Sequence, residues 1–463
     1  MEPVTRWMSL VPKDTLAAPQ IGVFVWSVLV YAMARCIYLL YFHPASKFPG
    51  PKLAAISNVW YGYHWITGRW PTAGHVVRIA PNELVFSTPQ AITDIYSAAI
   101  KNHETWVKTS FTDFGTGDGG ISWEQDPVKH RKVTKRISPV FSTKSIKTKE
   151  HVLQMYVDMF VKRMREIGGS KEGVELPKWV QWLAMDISAD MTYGREIHHL
   201  RDAKSSDFLD AINDTNLFGT VSQIAQKFLL LSPLKFLFVP PKILRALPHM
   251  LGINSQEVQR RIHQRANTRH LDYFESLVPP DAPIPRGKEL NHLEQIAAQL
   301  LVAGYDPVAD QFYGLLFWSL KEPDVLATLV GEIRGNLASY EDIVPEALVS
   351  LRYLHGCIQE SFRMMDTGPN GMQRVNPGAM VDGVYVPKGR WLSPDHPRYE
   401  AKYADDMLKA MAPFSTGPRA CPGRESAWTQ MRLFLAKVLW AFDLELVRGG
   451  DITFDKDFSM HTM

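Results

Sequence analysis

Cysteine is scarce in this chain. There are three among 463 residues, at Cys36, Cys357 and Cys421. So few thiols, placed so far apart, exclude a disulfide scaffold and fit a reducing compartment. The net charge of +3 is also small, too small to argue for nucleic acid as a partner. No Gly/Ser linker, internal repeat or low-complexity tract divides the chain, so length alone does not break it into domains. What remains is globular material, 46% hydrophobic and 21% charged.

One apolar run stands out against that background. Ile21 to Phe42 carries a single charge, Arg35. As a helix the run would span about 33 Å, enough for a bilayer core. Arg35 would cost about 2–3 kcal/mol near the centre and less if it snorkels. A cleaved signal peptide does not fit, because the run is long and no small-residue cleavage site follows. A membrane span and a buried core helix both fit its composition. Basic residues flank it almost evenly, Arg6 and Lys13 before, Lys47 and Lys52 after, so they do not set an orientation. The reading is an anchor over residues 1–45, with its helix at about 21–42, and a body from residue 46 to 463. Prolines in Phe48-Pro49-Gly50-Pro51 stiffen the join.

Within the body, Val76–Ala80 and Glu83–Ser87 alternate apolar and polar around Pro81-Asn82, a β-hairpin pattern. Pro127 to Arg136 holds five Lys/Arg in ten residues behind a proline suited to start a helix. Such a charge run is either a solvated face or a docking surface. Glu150 to Tyr273 has helical periodicity with breaks at Gly168-Gly169 and Pro240-Pro241. Leu293, Ile296, Ala297, Leu300, Leu301 and Gly304 form one apolar helical stripe. Ala303-Gly304 in its middle would let a planar ligand approach, and Asp306-Pro307 follow. Glu360 and Arg363 share a helix face by their spacing of three, over a buried face of Leu351, Leu354, Ile358 and Met365.

The stretch that organises the rest is Phe414-Ser-Thr-Gly417-Pro-Arg419-Ala-Cys421-Pro-Gly423. A thiolate is a soft ligand suited to iron. At a helix N-terminus the dipole and free amides stabilise it. Gly417 and Gly423 permit tight turns and close approach to a flat ligand. Arg419 could pair with a carboxylate of such a ligand. Ala427, Trp428, Met431, Leu435, Val438, Leu439 and Phe442 predict an amphipathic helix running to Gly449-Gly450.

Phe-x-x-Gly-x-Arg-x-Cys-x-Gly resembles the haem-binding loop of the cytochrome P-450 family, with each fixed position present. The opening through Pro51-Lys52-Leu53 is similar to fungal microsomal members. The resemblance covers essentially the whole chain and implies a mostly α fold with a small β-rich lobe, preceded by a transmembrane helix. It implies haem b held by Cys421, with Phe414, Gly417, Arg419, Gly423 and His130 around the cofactor. Thr134 stands where the family has an arginine, so Lys135 or Arg136 would substitute. It implies that Phe111–Gly120 caps a substrate pocket and that the basic helix docks a reductase. Ala303-Gly304-Tyr305-Asp306-Pro307 resembles the family's Ala-Gly-x-(Asp/Glu)-Thr, making Asp306 the catalytic acid. Pro307 replaces the threonine and puts the proton relay in question. Glu360 and Arg363 would form a buried lock with Arg390. Arg390-Trp391 follows Gly389 directly, although the family places a few tens of residues there. The Trp70–Val76 connection is shortened too, and the family's C-terminal strand pair is not found.

The implied activity is monooxygenation of an apolar small molecule, with electrons from NADPH through NADPH-cytochrome P-450 reductase. No nucleic acid is involved. The implied setting is the endoplasmic reticulum membrane, single-pass, with the catalytic domain cytosolic. Similarity to trichothecene-pathway and other hydroxylases suggests a fungal secondary metabolite, terpenoid or polyketide. Two rivals stay open: a haem-thiolate isomerase or dehydratase that needs no O₂, favoured by Pro307, and a degenerate haem protein.

Overall fold

The computed structural model describes residues 18–67, 75–97, 106–113, 117–170, 173–228, 230, 232–265, 267–365, 372–389, 391–394 and 412–446. Arg390, the Trp70–Val76 connection up to residue 74 and the Gly449-Gly450 pair fall outside them.

The apolar run forms a helix at Ala18–Ile37 that continues as a π-turn, Tyr38–Phe42. Val23, Phe24 and Trp26 are all about two-thirds exposed. That excludes the core-helix reading. It is the one helix among the described residues long and apolar enough to cross a membrane. Its end is tied to the body by Arg78, which is buried and donates to the carbonyls of Leu39 and Pro81, both at 2.8 Å.

The body is built around the helix Lys288–Lys321, 34 residues long. Leu293, Ile296, Ala297, Leu301, Tyr305 and Phe312 are buried on one side of it. That side lies against Leu176–Tyr193, a helix buried on nearly every face from Trp182 onward, where its polar Asp186, Ser188 and Asp190 are satisfied by hydrogen bonds. Ser188 Oγ donates to the Leu301 carbonyl across the contact at 2.6 Å. Phe434, from the helix Arg424–Ala441, stacks on Phe312 with ring centroids 4.2 Å apart. These three helices and Thr143–Ile167 enclose the main core. The helical breaks fall where the glycines and prolines place them, with Gly168 capping Thr143–Ile167 and Pro240 preceding Pro241–Gln264.

The last helix stops at Ala441, several residues before the expected Gly449-Gly450. Phe442 is extended. Arg334 caps the end by donating to the Leu439 and Phe442 carbonyls and pairing with Asp443 at 2.8 Å. A cation there satisfies the last carbonyls and the helix dipole, so termination is set by a distant residue.

The small lobe is one five-stranded sheet. Its strands are β1 (Val76–Ala80), β2 (Glu83–Phe86), β3 (Val107–Lys108), β4 (Arg374–Val375) and β7 (Trp391–Pro394), in spatial order β1-β2-β7-β4-β3. β1 and β2 are the expected hairpin. β7 runs parallel to β2 and antiparallel to β4. A separate hairpin joins β5 (Ala379–Val381) to β6 (Val384–Val386).

Candidate active site around Cys421

The loop before the last helix is closed by its own backbone: the Cys421 amide donates to the Phe414 carbonyl at 2.8 Å. Phe414 packs edge-on against Phe362, centroids 5.1 Å apart. Gly417 has φ +74°, and a Cβ there would collide with the Tyr96 carbonyl. Its glycine serves a turn and a backbone–backbone approach within the protein. Gly423 is the N-cap of Arg424–Ala441, which sets Cys421 at the mouth of that helix. The thiol is exposed to solvent yet crowded enough that burial raises its pKa, with the Gly423 amide opposing. Burial outweighs the helix terminus. The thiol keeps its proton until a metal ion takes the proton's place.

Four basic side chains converge beside it. Lys108 is buried, and its pKa falls to about 7 through burial and the charges of Arg374 and Arg419. Arg419 falls to about 10 through burial and Arg374. His130 falls to about 4 through burial and the other three. Their hydrogen-bond acceptors are neutral carbonyls: Ser122 for Lys108, Met372 and Gln373 for Arg374, Glu124 and Gln125 for Arg419. No ion pair joins any of the four to a carboxylate among the described residues. The one carboxylate charge opposing the group among those residues is that of Glu124, felt by Arg419; buried cations so weakly compensated are costly, and the group can receive further negative charge. Haem carries two carboxylates on one edge, so the cluster and Cys421 together fit it.

His130 and Arg419 both belong to this cluster. Lys135 and Arg136 do not: Lys135 is exposed and Arg136 donates to the Leu277 carbonyl. Lys108 and Arg374 supply the charge. Neither carried a sequence signal beyond being a basic residue in an otherwise apolar strand.

On the opposite side, the central helix presents Gln299, Ala303, Asp306 and Asp310 along one stripe. Gln299 accepts the amides of Ile121 and Ser122 at 2.7 and 2.8 Å, and the Ser122 carbonyl accepts from Lys108. Gln299, at the start of the stripe, is thereby joined to the basic cluster. Burial raises Asp306 to about 6. Burial and the Asp306 charge raise Asp310 to about 7. Asp310 had no motif to reveal it. Gly304 lies off this stripe. A Cβ on it would lie 2.6 Å from Ser188 Oγ, so the glycine lets two helices close on each other. Pro307 sits inside continuous helix, its missing amide leaving the Ala303 carbonyl without its usual donor.

Glu360 and Arg363 pair at 2.8 Å, but the pair is not buried. The Glu360 side chain is 58% exposed, because no described element packs over it. The apolar face beneath them is as expected, with Leu351, Leu354, Ile358 and Met365 buried.

A mostly helical fold with a small sheet carries a cysteine at the mouth of its last helix. The cytochrome P450 family profile matches residues 74–396 and 389–462. The chain is 44% identical to the cytochrome P450 monooxygenase TwmD of Talaromyces wortmannii, over 96% of this chain and 94% of that protein. It is 32% identical to the monooxygenase BOA3 of Botryotinia fuckeliana, covering 94% and 93%. It is 31% identical to the monooxygenase poxC of Penicillium oxalicum, covering 92% and 89%. The chain belongs to the cytochrome P450 family and is an oxidoreductase of the monooxygenase class.

Proposed function

We propose that this chain is a membrane-anchored monooxygenase that hydroxylates an apolar secondary metabolite of terpenoid or polyketide type, fed with electrons by NADPH-cytochrome P-450 reductase at the endoplasmic reticulum. The observation that carries it is Cys421 at the mouth of the last helix, two residues after Arg419, which belongs to a group of four buried or half-buried bases with no ion pair to a carboxylate among the described residues. Haem bound there activates O₂ for insertion into a C–H bond. Cys421 ligates the metal. Lys108, His130, Arg374 and Arg419 neutralise and orient the carboxylate edge. The Gln299–Asp310 stripe bounds the substrate side, and Asp306 holds a proton there. Exposed Lys129, Arg131, Lys132 and Lys135 on Pro127–Ile137 suit an acidic electron-transfer partner.

We also propose that a segment is absent between Gly389 and Arg390. The family match breaks into two pieces that meet at 389–396. The TwmD alignment runs 483 positions for 96% of 463 residues, so several tens of positions have no counterpart here. The exposed Glu360–Arg363 pair lies where such a segment would provide cover. Sequencing the transcript across this junction decides the point, and uninterrupted reads joining Gly389 to Arg390 would refute it.

The test of the cofactor site is spectroscopic. Reduced protein with carbon monoxide shows the red-shifted Soret band of thiolate-ligated haem, and Cys421→Ala abolishes it. Retention of the band in Cys421→Ala would overturn the assignment. Pro307 favours a second reading, an O₂-independent isomerase or dehydratase; turnover without NADPH and O₂ would select it.

A further inference from the structure

The central helix has one face not packed on other helices, and protonatable side chains on it are few. Val302 and Ala303 carry none, and Pro307 offers no hydroxyl. Gln311 is turned away, donating to the Met365 carbonyl at 2.6 Å and accepting from Ser361 at 3.1 Å. Asp306 and Asp310 remain, one helical turn apart and therefore neighbours on the surface. Both aspartates are half-buried, and seven residues before Asp306 on the same stripe Gln299 reaches Lys108 through Ser122.

We propose that Asp310 is a second proton-holding carboxyl of this face, supplying Asp306 in the place where a hydroxyl side chain is missing. This rests on the monooxygenase reading of the site. The exchange needs no oxidant or reductant. An O–H bond on Asp310 breaks, one forms on Asp306, and water returns a proton to Asp310. Burial raises both carboxyls toward their neutral form, and the Asp306 charge adds to the effect on Asp310. The other titratable group that feels both is Tyr305, whose hydroxyl is bonded to Asn213 Oδ1 of the helix Asp207–Lys227 at 3.1 Å. No cation figures among the influences on either carboxyl. Two carboxyls this close share protons and titrate as a pair. With Asp306 raised to about 6 and Asp310 to about 7, the pair keeps a substantial protonated fraction at neutral pH, where an ordinary aspartate is ionised.

The test is an infrared difference spectrum of the haem-loaded chain between about pH 6 and about pH 8, a window in which exposed carboxylates do not titrate. The expected result is a carbonyl band of protonated carboxylic acid that disappears as pH rises. Asp310→Asn removes that band and Asp310→Glu keeps it. Asp306→Asn leaves a band that titrates at lower pH, because the like charge is gone. The carbon monoxide spectrum stays unchanged in all three variants, which separates this result from loss of the haem site. In turnover, Asp310→Asn shifts NADPH consumption from product to peroxide, with product formation falling about 10²-fold, and Asp310→Glu restores the balance. Absence of a carboxylic-acid band in that window, or a band untouched by Asp310→Asn, would overturn the proposal.

Discussion

Arg78, in the first strand of the sheet, donates to the carbonyl of Leu39, in the last turn of the apolar span, at 2.8 Å. Arg78 is 2% exposed. The end of the apolar span is therefore part of the folded body, and removing it strips a buried cation of an acceptor.

Two truncations should consequently differ. Removing residues through Ile37 leaves Leu39 in place and should preserve melting temperature and the haem spectrum. Removing residues through Tyr41 should cost about 1–3 kcal/mol, read as a lower melting temperature. Both should release protein from the microsomal pellet only in part, because Leu237 and Phe238 on the body are 78% and 72% exposed. Equal melting of the two truncated forms would sink the link.

The buried basic cluster makes a signed pH prediction. Lys108 titrates near 7 in the fold against an ordinary value of 10.5. Between those values the unfolded chain binds the extra proton, so stability of the haem-free protein rises with pH across that window. Asp310 acts oppositely. Its pKa is raised from 3.8 to about 7, the folded chain binds the extra proton, and stability falls as pH rises from about 4 to 7. Lys108→Met should flatten the first slope in urea titrations and weaken haem retention. Asp310→Asn should flatten the second and leave haem retention alone.

Gly304→Ala tests what the small residue is for. Its methyl group would meet Ser188 Oγ, an overpacking that costs about 1–3 kcal/mol. Melting temperature should fall, and Ser188→Ala in the same chain should recover part of the loss. A change confined to the haem spectrum, with no change in melting, would return Gly304 to the cofactor.

Reversing charge at the exposed Lys129 and Lys132 should slow haem reduction by the reductase and reduce its dependence on ionic strength, as for a rim contact that steers association. The carbon monoxide spectrum should not move. Unchanged reduction kinetics would place docking elsewhere.

What could be read from the sequence was what repeats or clusters. The hairpin around Pro81-Asn82, the basic helix opening at Pro127 and the loop at Cys421 each have several residues in fixed spacing. Lys108, Arg374 and Asp310 are single residues whose meaning comes from neighbours far along the chain. Gly304 was misread because a small residue admits a ligand or a helix equally well, and spacing cannot say which. The end of the last helix was misplaced for a similar reason: Arg334, more than a hundred positions earlier, supplies the cap.

The order of strands in the sheet sets a timetable for biosynthesis. β2 is paired in parallel with β7, and Glu83 meets Trp391, about 300 positions later, which the ribosome takes roughly 15–60 s to add. The apolar span leaves the tunnel long before β7, so it is available to a bilayer before the small lobe can be completed. During that interval the β1-β2 hairpin has a bare edge that can pair with another nascent chain. Haem capture must wait longer still, since Cys421 emerges after β7. Overexpression should therefore load the cell with incomplete lobes, and slowing initiation or lowering temperature should raise the yield of haem-loaded protein more than adding haem precursor does.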